Sequence, residues 1–412
     1  MSRARKLTLA AGLVAALVLL VSGTVSAQEE PFRVAFLLAD SPTDQGWNAA
    51  HYRGIETLKQ LGEVVEESGL SFNVQLPEGR LLEVQVVESV GYNDADIERV
   101  ARQVLNQGAD YVFGTWWDSQ GAMSRLAEEY PDILFEHCSG YPFVQSNGKN
   151  FSTYFIRIEQ GDYVAGYVTG RLGHSRVGLV GTYPIPEPVR GVNGFTLGLQ
   201  RGLAEADLDP AEASVQVIWI NSWLNREQEV QAAQALLDEG FDVIRQMADT
   251  PYSSQTTCAA EGKIAVGYGS DVTAVAPCSL VTNEWNWGEY YRAQVLNALE
   301  GAWEPHDWWG GFAEGAVVMT GWNDELVPED VRADAEALVE SITAGEFDPF
   351  CGPITGTGLA EDGSVAEIEV PEGKCLSDMD LLTMQWYVDG VVGEYPPAPP
   401  NGHALELVDA AE

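Results

Sequence analysis

From residue 32 onward the chain alternates short continuous apolar runs with amphipathic stretches of helical period, and few folds tolerate that rhythm. Strands are predicted at Phe32–Leu38, Leu82–Val87, Asp110–Gly114, Ile133–His137, Arg176–Gly181, Val215–Ile220, Val243–Met247 and Ile264–Gly267. Helices are predicted at Trp47–Gln60, Asp94–Gln107, Ser119–Glu129, Gly161–Leu172, Gly191–Ala204 and Asn225–Glu239. Strands apolar on both faces and separated by helices form parallel sheets covered on both sides. There are more such units than one doubly wound sheet holds. The turn Leu105–Val112 is echoed at Leu237–Ile244, and each copy is followed by an Asp, Asp118 and Asp249, so two similar α/β lobes are expected.

In open parallel sheets, recognition and chemistry gather in the loops beyond the carboxyl ends of the strands. Those loops carry Trp47, Trp116, Trp117, Trp223, Asp44, Asp118, Asp249, Asn48 and Asn221. Indole faces beside carboxylates and amides suit a flat ring with a polar edge, because the face stacks and the edge is hydrogen-bonded. Two of these acids also have a structural reading: Asp118 as the cap of a helix starting at Ser119, and Asp249 as the start of a helix through Pro251.

Charge narrows the partners. There are 62 acidic residues against 22 Lys and Arg, a net charge of -40, and this field repels phosphate backbones and anionic lipid surfaces. Nucleic-acid binding is not expected. Residues 1–27 read as a signal peptide: Arg3, Arg5 and Lys6, then an apolar run to Val21, then Val25-Ser26-Ala27 as a cleavage site. The mature chain is therefore expected outside the cytoplasm, periplasmic or otherwise extracytoplasmic, with no Cys at the cleavage point to take a lipid. Export permits disulfides, and the pairs Cys258–Cys278 and Cys351–Cys375 are expected, leaving Cys138 as a buried thiol. The five His are scattered and no CxxC or HExxH occurs, so neither a metal site nor a cofactor is expected. An enzyme finds no support either: G-x-G-x-x-G is absent, and Ser146-Asn147-Gly148-Lys149 lacks the downstream partners that S-x-x-K catalysis needs.

The segments Phe36-Leu37-Leu38-Ala39-Asp40-Ser41-Pro42-Thr43-Asp44-Gln45-Gly46-Trp47-Asn48, Phe113-Gly114-Thr115 and Phe135-Glu136-His137-Cys138-Ser139-Gly140 resemble the basic membrane protein family of solute-binding proteins. So do Pro184-Ile185-Pro186-Glu187-Pro188-Val189-Arg190-Gly191, Trp219-Ile220-Asn221-Ser222-Trp223, Trp285-Asn286-Trp287-Gly288 and Trp308-Trp309-Gly310-Gly311, and, further on, Gly352-Pro353-Ile354 and Trp386-Tyr387-Val388. The similarity spans roughly residues 32–396. It implies a type I periplasmic-binding-protein fold: two Rossmann-like lobes with parallel sheets, helices on both faces, a hinge, and a cleft that closes on ligand. It also implies a monomer that hands a purine-type solute to the permease of an ABC importer. A receptor subunit serving a membrane sensor has the same architecture and is the alternative.

The lobes are expected as residues 28–157 with 286–325, and 158–285 with 326–396, with 324–328 near the hinge and 397–412 as an acidic tail. By resemblance, Trp47 and Asn48 face the base, Asp118 bonds its edge, and Trp223 completes the stack. Trp117, Asp249 and Asn283 are further candidates. Two positions depart from the nucleoside-binding pattern. Gly269 stands where an Asp usually holds the ribose hydroxyls, and Trp285 stands where a Lys is common. A free nucleobase such as adenine is therefore expected over a nucleoside.

Overall fold

The computed structural model describes residues 30–139, 145–399 and 402–410, so the expected signal peptide lies outside the described residues. The first lobe is built from β1 (Phe32–Leu37), α1 (Trp47–Glu56), β2 (Glu63–Ser68), β3 (Ser71–Gln75), β4 (Leu81–Val87), α2 (Asp94–Asn106), β5 (Tyr111–Gly114), α3 (Gln120–Glu129), β6 (Leu134–Cys138) and β7 (Phe151–Ile156). The chain then crosses to the second lobe: α4 (Ile158–Arg171), β8 (Arg176–Gly181), α5 (Pro186–Glu205), β9 (Ser214–Trp219), α6 (Arg226–Asp238), β10 (Val243–Met247), α7 (Tyr252–Ala259), β11 (Ile264–Gly269) and β12 (Ser279–Trp285). It returns through α8 (Gly288–Glu300) and β13 (Asp307–Gly310), and crosses again into β14 (Val317–Thr320) and α9 (Glu329–Thr343). A carboxy-terminal module follows: β15 (Ile354–Leu359), β16 (Val365–Val370), β17 (Lys374–Cys375), α10 (Asp378–Leu382), β18 (Tyr387–Val388), β19 (Val391–Val392) and β20 (Val408–Asp409).

The first sheet has the order β13-β7-β6-β5-β1-β4-β3-β2, parallel except for the β2–β3–β4 meander. The second runs β14-β12-β11-β10-β8-β9-β19, with only β14 antiparallel. Strand order reverses beside β1 in the first sheet and beside β8 in the second, which opens a crevice at each switch point. This is the type I periplasmic-binding fold.

Three crossovers join the lobes, at Arg157, at 286–287 and at 311–316. Main-chain bonds brace them: Arg157 N–H donates to the Gly310 carbonyl at 2.7 Å, and Asn286 N–H to the Ala316 carbonyl at 2.8 Å. The hinge is therefore not at 324–328. There the Asn323 N–H binds the carbonyl of Leu280, at the end of β12 remote from the crossovers. Nor does 286–325 belong wholly to the first lobe, because β14 pairs with β12 of the second. Of the expected tail, residues 402–410 are docked on the carboxy-terminal module. β20 pairs with β17, His403 is bonded to the Leu359 carbonyl at 2.8 Å, and Leu405 and Leu407 pack on the module core.

The second lobe depends on an unusually close helix pair. Gly166 and Gly170 of α4 face Gly194, Gly198 and Gly202 of α5, and a Cβ at Gly198 would lie 1.9 Å from the Tyr163 carbonyl oxygen. Backbones this near allow no side chain between them. Disulfides Cys258–Cys278 and Cys351–Cys375 are present, and Cys138 is a buried free thiol. No helix among the described residues is long and apolar enough to cross a membrane. Gly198→Ala must force the two helices apart, and overpacking of this kind costs roughly 1–3 kcal/mol. Chemical denaturation should show that loss with an unchanged m-value.

Candidate functional site

The two switch points face one another, and the cavity between them holds about 760 Å³ of space, including its open mouth. The first lobe lines it with Ala39, Trp47, Asn48, Tyr92, Trp116, Trp117, Asp118, Ser139 and Phe155. The second contributes Ile185, Pro186, Glu187, Arg190, Trp223, Leu224, Asp249 and Trp285, and the carboxy-terminal module adds Leu382.

Trp47 is the first residue of α1, and the turn before it explains its placement. Asp44 caps the helix, accepting from the main-chain N–H groups of Gly46, Asn48 and Ala49 at 2.8–3.0 Å. The Trp47 indole N–H donates to the Thr115 carbonyl at 3.0 Å, which leaves the ring as its contribution to the cavity. Its ring meets those of Trp285, Trp287 and His51 edge to face, at 4.9, 5.7 and 4.7 Å. Asn48 is largely committed. Its amide donates to Asp44 at 2.8 Å and its carbonyl accepts from Asp40 N–H at 3.2 Å.

Asp118 lies within the single 3-10 turn Trp117–Ser119 ahead of α3, whose N-cap residue is Ser119. Burial raises the pKa of its carboxyl, and the nearby Trp223 of the opposite lobe offsets part of that rise. One oxygen, Oδ2, is buried without a partner. Trp223 packs edge to face on Tyr183 at 4.8 Å. Asp249 is likewise not a cap. Its carbonyl accepts from the Trp47 N–H at 3.1 Å across the cleft, and its carboxyl is pushed well up by burial and by neighbouring Glu187, Asp44 and Glu229. The lobes also meet where Ser270 Oγ donates to the Gly46 carbonyl at 3.2 Å, and where Arg53 pairs with Glu284. The cleft is shut.

Two expected residues lie off the cavity. Asn283 is fully buried in the second lobe, where its amide accepts from Arg245 at 2.7 Å and donates to Asp162 at 3.0 Å, so it serves a buried ion pair. Gly269 sits behind Trp285 rather than on the lining. Its φ is +76°, and a Cβ there would lie 2.1 Å from the indole. Glu187 and Arg190 had no role assigned from sequence, although they stand in the quoted Pro186–Arg190 segment at the start of α5. Glu187 accepts from the Tyr268 hydroxyl at 2.7 Å, and burial raises its pKa. Arg190 is 2% exposed and holds Glu159 at 3.0 Å, while its Nη2 has no partner.

Three carboxyl groups thus line the cavity beside one cation, Arg190, whose Nε holds Glu159 and whose Nη2 has no partner. Such a site offers acceptors to N–H or O–H donors. Among the described residues, no group of three or more His, Cys, Asp or Glu is placed to hold a metal ion.

A family model described as ABC transporter substrate-binding protein PnrA-like matches residues 32–346. The purine-binding protein of Brucella abortus is 32% identical over 377 residues, 91% of this chain and 97% of that one. A putative ABC transporter glucose-binding protein of Haloferax volcanii is 30% identical, covering 89% of this chain and 82% of the relative. A solute-binding protein of an ABC transporter system from Conexibacter woesei superposes with a TM-score of 0.59 at 22% identity, over 77% of this chain and 98% of its own.

Two outcomes follow from this geometry. A Cβ at Gly46 would lie 1.6 Å from the Asp249 carbonyl oxygen, so Gly46→Ala should hold the lobes apart. Small-angle scattering should show a larger radius of gyration, and ligand affinity should fall at least tenfold, about 1.4 kcal/mol. Behind Asp249, Glu229 is pushed up to about 7 by burial. A carboxyl raised in the folded state loses its stabilising contribution as pH climbs from the unfolded value towards about 7. Glu229→Gln should flatten that decline in a pH series of melting temperatures.

Proposed function

Because the chain belongs to the PnrA-like family of ABC transporter substrate-binding proteins, proteins that bind small ligands and deliver them to a permease, we propose that it captures a purine-type heterocycle between its lobes, a free base such as adenine in preference to a nucleoside. The observation that carries this reading is the joint presence, in one shut cleft, of indoles from both lobes and of buried carboxyl groups, of which Asp118 Oδ2 has no partner. Ring faces give stacking, each aromatic contact adding about 0.5–1.5 kcal/mol beyond burial. The N–H groups of an aminopurine supply a donor to the unpartnered Asp118 Oδ2, and a bond to an ionised carboxylate is roughly twice as strong as a neutral one.

The preference for a base rests on Gly269 and Trp285. The residue that would hold a ribose has no side chain, and Trp285, 2% exposed, fills the space beside it. A ribose hydroxyl buried without an acceptor costs about 1–3 kcal/mol. The name of the Brucella abortus relative supports a purine, and that of the Haloferax volcanii relative makes glucose the arm to test against it. Binding stabilises the shut state because a ligand touches both lobes only there, and the permease then reads occupancy as shape.

A thermal-shift panel of adenine, guanine, adenosine, adenosine monophosphate and glucose tests the reading. Adenine at a hundred times its dissociation constant should add about 2.7 kcal/mol of stability, the nucleoside less, and the nucleotide nothing. Asp118→Ala should remove the shift while leaving the unliganded melt in place. A strong response to glucose alone would replace the purine assignment.

A further inference from the structure

The family model stops at residue 346, and the module beyond it has no part in a mechanism of two lobes and a hinge. Its core contains Phe350, Ile354, Leu381, Met384 and Trp386, joined by Val189 from α5. The module is fixed to the second lobe. β19 extends that sheet alongside β9. Buried Asn193 of α5 donates to the Trp386 carbonyl at 2.8 Å and accepts from the Val388 N–H at 3.1 Å. The Trp219 indole donates to the Tyr387 hydroxyl at 2.8 Å.

From this platform α10 reaches inward. Its first and last residues are four apart and so share a face. Asp378 accepts from Arg157 at 2.7 Å, and Arg157 is the residue of the first crossover, with its guanidinium 3.8 Å over the Trp309 ring. Leu382 is 5% exposed and lines the ligand cavity. In the shut cleft Gly46 touches Asp249, and the Trp47 N–H binds the Asp249 carbonyl. A longer ligand is admitted by widening the cleft only if these contacts are given up.

We propose that the carboxy-terminal module is the inner wall of the cleft, and that Leu382 is the specificity-determining residue that limits how long a ligand the shut lobes accept. This rests on the reading that a small ring occupies the cavity. An apolar side chain at that end offers a bare ring an uncharged surface and offers a sugar hydroxyl nothing to bond.

Calorimetric titration of the full chain with adenine and adenosine reads the effect as a ratio of affinities. Leu382→Ala should shift the ratio towards adenosine at least tenfold, and Leu382→Phe should weaken both ligands. Leu405→Ala loosens the same module without touching the cavity and should leave the ratio unchanged. A ratio within twofold of the parent in a cooperatively melting Leu382→Ala protein overturns the proposal. Should that variant not fold, Leu382→Val must move the ratio the same way by a smaller factor, and no movement overturns it equally. If the parent binds glucose and neither purine, the purine assignment falls while the wall is judged by glucose against maltose. Binding of none of the four overturns both.

Discussion

Contact between main chains across the cleft sets the geometry on which every other feature of the site depends. The Trp47 N–H reaches the Asp249 carbonyl only because the residue before Trp47 has no side chain. That contact fixes the start of α1 against the end of β10, and the Trp47 indole is then held from its own lobe by the Thr115 carbonyl. Trp47 is thus tied by its main chain to the second lobe and by its ring to the first. The same closure brings Trp223 to Asp118, so the second indole and the principal carboxylate are ordered by one event. Closure therefore assembles the site.

The acids inside the cleft differ in kind from those outside. Most of the 62 acidic residues can stay hydrated, whereas Asp118, Glu187 and Asp249 have lost part of their water and are pushed towards protonation. Burial leaves Asp118 Oδ2 without a partner. A ligand that brings N–H groups relieves this, whereas one that brings phosphate adds to it. Selectivity by charge follows from which groups were buried together.

Much of the fold was legible because its strands are continuously apolar and its helices periodic. β8 and β10 lie where the pattern put them, and most other boundaries moved by a residue or two. The β2–β3 hairpin escaped because β2, Glu63–Ser68, is exposed throughout and shows no apolar alternation. β12 escaped because Thr282, Asn283 and Glu284 read as a loop. Asn283 is tolerated in a buried strand because Arg245 and Asp162, remote in sequence, satisfy it, and Glu284 because Arg53 and Thr320 do. The same reason removed Asn283 from the ligand. Trp47, Asp118, Trp223 and Asp249 were legible as loop residues after strands, whereas Glu187 and Arg190 acquire their place only when α5 starts beneath the cleft. Leu382 carries no local signal at all, because nothing in an ordinary leucine says that its helix will return to the hinge.

The path of β13 has a consequence for biogenesis. The edge strand that finishes the first sheet is translated only after β8 to β12 of the second, so β7 waits with its hydrogen-bonding edge uncovered while more than a hundred residues follow it. Uncovered edges invite pairing with foreign strands. The nascent polypeptide thus passes through an adhesive interval, and how well it survives that interval sets its yield separately from the stability of the finished molecule.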